Sequence, residues 1–422
     1  MNSLDGYQEV DSYWYDQIPS YWKKTKNKYV FCQDKHAVGE DWEKFTLLTM
    51  GKSGVKPRDM DGGGKFPESF ETYQTVEPNQ LIFCLFDLDE TPRTIGMSKD
   101  YGMITSAYDV LSTTEDNDPQ FWTYFYQMID DHKGLRPFYT GLRKVVRSET
   151  FMGIEVFSPP LEEQKLISRY LDKKTKQIDR LVEKIRKKIE LLKEQRNSLI
   201  NHCVTKGLDP NVEMKDSEVE WIGKIPKHWT VQKISTLYSQ SSVRGHEDEE
   251  NLSVFRDHGV VRRKDFENKN VLSEDLSNYK LVNKGDLVLN KMKTWMGSLG
   301  VSDYRGIVSP AYYVLKPNFD FFSGYLHNLL RSKIYIDQYA SLSKGVRPGQ
   351  WDLSFDEFKS LKIILPPIEE QIEINSHLSK KLEYSKNLSE LEKQRVQKLN
   401  EYHQSIIASV VTGKVRVMED MI

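Results

Sequence analysis

Apolar side chains recur along this chain at two periods. Ile178, Val182, Ile185, Ile189, Leu192, Leu199 and Cys203 alternate steps of four and three, with Arg196 the one interruption. That spacing is a coiled-coil seam, a stripe too narrow to be buried without a partner helix. Pro159-Pro160 stands ahead of it, and Pro160 suits a first helical turn, where its missing N–H is not needed. Glu162 and Glu163 then put negative charge at the positive helix start. No Pro or Gly follows until Gly207. The segment therefore predicts one helix of roughly 45 residues and about 65 Å, at about 1.5 Å per residue. A second stripe follows Pro366-Pro367: Leu378, Leu382, Leu388, Leu391, Val396, Leu399, Ile406 and Val410. The expected coiled-coil interface comprises Ile178, Val182, Ile185, Ile189, Leu192 and Leu199 with Leu388, Leu391, Val396, Leu399 and Ile406.

The other apolar runs are shorter. Leu81-Ile-Phe-Cys-Leu-Phe86, bounded by Pro78 and Asp87, reads as a buried strand, and Leu287-Val-Leu-Asn290 parallels it. Asp118-Pro119 opens a helix carrying Phe121, Trp122, Phe125, Met128 and Ile129 at helical spacing. Phe321 to Tyr339 reads as a helix and Leu361 to Leu365 as a strand.

These elements belong to a duplication. Pro159 and Pro366, Thr205 and Thr412, and Trp14 and Trp221 are each 207 residues apart. Trp14-x-x-x-Ile18-Pro19-x-x-Trp22 returns as Trp221-x-x-x-Ile225-Pro226-x-x-Trp229, and Thr140-Gly-Leu-Arg143 as Lys344-Gly-Val-Arg347. The matches divide the chain into a globular segment (1–157), a helix (158–207), a second globular segment (208–365) and a second helix (366–422). Framework positions agree while the loops between them differ, so two similar α+β scaffolds present unlike surfaces.

Composition narrows the functional classes. With 422 residues, 29% of them charged and 11% aromatic, the chain is globular and large enough for two domains. A formal charge of −2 means that any nucleic-acid binding rests on local basic clusters. Cys32, Cys84 and Cys203 make no metal or disulfide spacing, which points to a reducing, cytoplasmic setting. No run is apolar enough to span a bilayer, and Met1 leads into polar sequence rather than a secretory signal.

Catalytic motifs fall short. Gly51-Lys52-Ser53 has Thr46 where a phosphate-binding P-loop needs its first glycine. Ser158-Pro-Pro-Leu161 lacks the aromatic residue of the adenine methyltransferase motif and sits at a helix start. The histidines show no metal-ligand spacing. Binding features are better represented. Met50 to Lys65 is glycine-rich and carries Lys52, Lys56, Arg58 and Lys65, suited to phosphate contact or to a solvated surface loop. Lys291, Lys293 and Trp295 follow a buried strand, either as a cationic and planar contact loop or as a core tryptophan between solvated lysines. Arg143 and Arg347 suit a phosphate, a base edge or a salt bridge. Arg244 and Arg262-Arg263-Lys264 have no counterpart in the first half.

Two variable segments each ending in Gly-x-Arg, then Pro-Pro-x-Glu-Glu-Gln, then a long helix closing on Val-Thr, resemble the specificity subunit of Type I restriction–modification systems. Glu220-Trp-Ile-Gly-Lys-Ile-Pro-Lys-His-Trp229 adds to the likeness. The resemblance covers essentially the whole chain. It implies two target recognition domains separated by two long antiparallel helices forming a coiled coil, related by an internal pseudo-twofold repeat. Each domain is then expected to read half of a bipartite asymmetric site on double-stranded DNA. The candidate DNA-binding set is Lys52, Lys56, Arg58, Lys65, Arg143, Arg244, Arg262, Arg263, Lys264, Lys291, Lys293, Trp295 and Arg347. The resemblance further implies a non-catalytic chain without cofactor or metal. Its expected partners are two methyltransferase subunits using S-adenosylmethionine, and restriction subunits using ATP and Mg²⁺. A coiled-coil protein-binding adaptor and a self-sufficient DNA methyltransferase are the competing readings.

Overall fold

The structure is a computed structural model. It describes the chain except residues 1–5, 34, 52–53, 60–66, 267–274, 320–321 and 348–349, and the backbone alone at 346, 347 and 350. Two compact units divide the chain: Met1–Arg186 with Gln394–Ile422, and Lys187–Lys393.

The first unit is built on an antiparallel sheet in the order Phe31–Gln33, Asp109–Thr113, Leu81–Phe83, Ile95–Met97. Leu111 pairs with Leu81 and Val110 with Ile82. Side chains of a strand alternate between faces, so this register gives the sheet two apolar sides. Leu81, Phe83 and Leu111 join the main core with Phe121, Trp122 and Phe125 of the helix Pro119–Asp131. Ile82 and Val110 face a smaller core with Leu48, Val76 and Ile104. Asp118 caps the helix by accepting from the Phe121 N–H at 2.9 Å. The main core also contains Ile178 and Val182 of one long helix and Ile406, Ile407 and Val410 of the other.

The second unit repeats the plan. Its sheet runs Tyr238–Ser241, Tyr312–Pro317, Leu287–Asn290, Leu299–Val301. Leu315 pairs with Leu287 and Val314 with Val288. Leu287, Leu289 and Leu315 join a core with Tyr325, Leu326, Tyr335 and Tyr339, and with Cys203, Val204, Ile374 and Leu378 of the long helices. Val288 and Val314 face Leu252, Val254, Val260, Val282 and Val308 on the other side.

The two long helices span Leu161–Lys206 and Ile368–Val411. Their contacts run in opposite order, as an antiparallel pair requires. The start of the first meets the end of the second in one unit, and its end meets the other's start in the second unit. On the first helix Ile178, Val182, Ile185 and Ile189 are buried, and Leu192 and Leu199 half-buried. On the second, Leu391 is 58% exposed and Glu392 only 3%. Counting back from Val410 in steps of three and four reaches Ile406, Leu399 and Val396 and then lands on Glu392, not Leu391. Lys188 meets the Glu392 carboxylate at 2.6 Å, which lets a charge occupy a seam position. Leu388 is half-buried.

Two further expectations shift. Phe321 lies outside the described residues, and the stretch after it forms two helices, Ser323–Leu330 and Lys333–Leu342, because Ser332 is extended and its hydroxyl donates back to the Leu329 carbonyl at 2.6 Å. The 81–86 strand stops at Phe83, and the chain turns away at Asp87, whose φ is +47°.

Candidate nucleic-acid interface

The motifs shared by the two halves are the joints that hold each loop platform in place. Within the first unit, the buried Gln164 amide donates to the Pro159 carbonyl at 2.9 Å and its oxygen accepts from the Asp118 N–H at 2.9 Å. In the second unit Gln371 donates to Pro366 at 2.9 Å and accepts from Phe322 at 3.1 Å. Each glutamine therefore ties the start of a long helix to the start of a helix in the adjoining globular part. The neighbouring glutamate does a similar job: Glu163 accepts from the Tyr21 hydroxyl at 2.9 Å, and Glu370 from the Trp229 indole at 3.0 Å. Helix ends are fastened too. Gly413, with φ +71°, lies so close to Pro19 that a Cβ would stand 2.4 Å from its ring.

On these supports the first unit presents a four-residue tip. Thr140 and Val145 exchange backbone hydrogen bonds at 2.8 and 3.1 Å, projecting Gly141, Leu142, Arg143 and Lys144. Facing it is the segment that joins the 81–83 and 95–97 strands. Asp87 binds the Arg143 guanidinium through both carboxylate oxygens, at 3.2 and 2.5 Å. Lys144 lies 3.0 Å from both Asp89 and Glu90. These contacts hold the carboxyls of Asp87 and Asp89 below their ordinary range, with Arg143 the main cause for the first and Lys144 for the second. Sequence reasoning named Arg143 and missed its acidic partners; aligning the post-strand segments of the two halves exposes them. Lys56 and Arg58 are exposed, on and just beyond the strand Gly54–Pro57, which packs on Ile95–Met97. Lys52 and Lys65 lie outside the described residues.

At the equivalent place in the second unit, the segment joining 287–290 to 299–301 carries Lys291, Lys293 and Trp295. Lys291 sits 4.8 Å over the Tyr313 ring, and Trp295 packs on Trp351 at 4.9 Å. Lys293 is exposed. Trp351, absent from the sequence-based set, belongs to the hairpin Lys344–Arg347 with Gln350–Asp352. Arg347 lies in that hairpin, with only its backbone described. Arg262 and Lys264 converge on Glu250 at 3.1 and 2.6 Å, and Arg262 also covers the Tyr304 ring at 4.9 Å. Arg263 lies between them in the same turn, its N–H donating to the Asn251 carbonyl at 2.9 Å. Arg244 stands elsewhere, donating to Asn278 at 3.2 Å. Among the described residues no cluster is assembled to hold a metal, and no helix is long and apolar enough to cross a membrane.

Residues 246–401 match the family model of the Type I restriction modification DNA specificity domain. Over that stretch the chain is similar to the Type I specificity domain. Curated relatives agree. A Type I restriction enzyme MjaVIII specificity subunit from Methanocaldococcus jannaschii is 28% identical over 291 residues, 64% of each chain. A putative MjaX specificity subunit from the same organism is 25% identical over 61% of this chain and 59% of its own length. The matched stretch thus spans less than two thirds of these relatives. The fold of the HsdS subunit from Thermoanaerobacter tengcongensis covers 94% of this chain and 98% of its own at a TM-score of 0.52 and 14% identity. A chain from a structure on complex assembly and conformational transition of the type I R-M system covers 94% and 99% at 0.63 and 14%. The specificity domain model begins at His246 and ends inside the second long helix, so it takes in the loops of the second unit, Lys291 and Trp295 among them.

Proposed function

We propose that this chain is the DNA sequence-recognition subunit of a Type I restriction–modification complex. Each globular part reads one half of a bipartite asymmetric site, and the two long helices set the spacer and dock methyltransferase subunits. The observation that carries this reading is one scaffold used twice with opposite chemistry at the same position. The segment leaving the central strand offers Asp87, Asp89 and Glu90 in the first unit and Lys291, Lys293 and Trp295 in the second. A recognition protein for two unlike half-sites needs such a divergence on a shared frame. The chain itself performs no chemistry. Methyl transfer from S-adenosylmethionine falls to methyltransferase partners, and ATP- and Mg²⁺-dependent cleavage to restriction subunits, in the cytoplasm.

The test is an exchange of residues 1–157 for those of a relative, with methylated adenines mapped genome-wide in cells carrying either chain. One half of the methylated sequence changes and the other stays. Simultaneous change of both halves, or of neither, overturns the reading.

A further inference from the structure

The tip of the first unit has more order than a phosphate contact requires. A guanidinium has two hydrogen-bonding edges, one formed by Nε with one terminal nitrogen and one by the two terminal nitrogens. Asp87 occupies the first edge of Arg143, with Nε at 3.2 Å and Nη2 at 2.5 Å from its two oxygens. The outer edge, Nη1 and the second hydrogen of Nη2, has no partner among the described residues. The Arg143 side chain remains 70% exposed.

Its orientation is fixed from three sides. The Asp87 N–H donates to the Arg143 carbonyl at 2.9 Å, so the same residue grips both backbone and side chain. Asp87 does this at φ +47°, a left-handed conformation that costs a non-glycine residue energy and therefore needs support from its surroundings. The Phe86 ring lies 5.6 Å from the guanidinium carbon and is itself stacked on Tyr108 at 6.0 Å. Leu142, beside Arg143 at the tip, is fully exposed.

The surrounding charge argues against a backbone contact. Arg143, Lys144 and Arg136 face Asp87, Asp89 and Glu90, so the charges are matched and leave no net attraction for a phosphate. A neutral acceptor pair needs none. Two parallel donors on a pre-oriented arginine match the O6 and N7 acceptors that guanine shows in the major groove, and adenine replaces the first of these by a donor. We propose that Arg143 is a specificity residue that reads a guanine in the half-site bound by the first unit, with Asp87 as its positioning residue. This rests on the DNA-recognition reading above.

The experiment uses the full chain assembled with its methyltransferase partner. The bipartite site is first located by methylated-adenine mapping. Binding is then measured by competition against duplexes carrying 7-deazaguanine, which lacks N7, at each guanine in turn. For the unsubstituted chain, one guanine in one half-site shows a loss of roughly tenfold or more. Arg143→Ala abolishes that discrimination alone, and the other positions and the salt dependence stay as they were. Asp87→Asn weakens discrimination at the same guanine and nowhere else, an effect that general damage to the fold does not produce. The proposal is overturned if the half-site read by residues 1–157 contains no guanine. It is also overturned if Arg143→Ala lowers affinity evenly across all duplexes and flattens the salt dependence, as loss of a phosphate contact does, or if it changes nothing. In these three cases sequence-specific binding survives and the DNA-recognition reading with it. A complex that prefers no bipartite sequence overturns both.

Discussion

Replacing Gln371 by leucine tests whether the shared Pro-Pro-x-Glu-Glu-Gln motif is a structural joint. The side chain is 4% exposed, and its amide serves the Pro366 carbonyl, just ahead of the long helix, and the Phe322 N–H at the start of the helix Ser323–Leu330. Leucine fills similar volume but leaves a buried carbonyl and a part-buried N–H without these partners. At about 1–3 kcal/mol for each, less about 2 kcal/mol gained by burying an apolar side chain, the net loss is about 2 kcal/mol. Since about 1.4 kcal/mol is a factor of ten, amide protection in the helix Ser323–Leu330 falls about thirtyfold. Hydrogen exchange read by mass spectrometry resolves the effect by segment. Gln371→Leu exposes 323–330 and spares 119–131, whereas Gln164→Leu does the reverse through the Asp118 N–H. A loss below about threefold in each variant's own helix refutes the argument, because the two backbone groups then find other partners at little cost.

Other substitutions separate seam from surface. Ile185→Ala, at a 5% exposed position, costs about 2–4 kcal/mol, whereas Leu391→Ala stays within about 0.5 kcal/mol in denaturant titrations. Gly413→Ala drives a Cβ into Pro19 at positive φ and lowers the melting temperature clearly more than Gly141→Ala, where φ is +69° and nothing lies within 4 Å. The His327 imidazole is pushed down to about 4, first by burial and then by Arg331. The unfolded chain therefore takes up that proton first, and stability that is whole above pH ~6.5 is lost as pH falls toward ~4, by at most about 3 kcal/mol. His327→Gln flattens that acid limb in urea titrations at pH ~7.5 and ~5.

The sequence reported most about what repeats. The long helices announced themselves through Pro-Pro starts, glycine ends and a seven-residue rhythm, because a narrow apolar stripe on an uninterrupted helix has few other uses. Leu391 misled because it is apolar in a leucine-rich stretch, and the phase of the helix was decided by a carboxylate whose cation lies on another segment. The break at Ser332 was hidden for a related reason. Arg331 turns inward to carbonyls of Leu299 and Arg256, at 2.8 and 2.6 Å, which a helical wheel cannot foresee. Arg143 was legible as a candidate through its place after a glycine. Asp87, 56 residues away, was not, since only folding brings them together.

One feature of the first core bears on how the protein is made. Ile406, Ile407, Val410 and Val411 complete the packing around Phe121, Trp122 and Ile167. The ribosome delivers the sheet and its helix well before residues 394–411. At about 5–20 residues per second, that wait lasts roughly ten to fifty seconds. During synthesis the N-terminal half therefore leaves exposed to solvent the apolar side chains that these residues later cover.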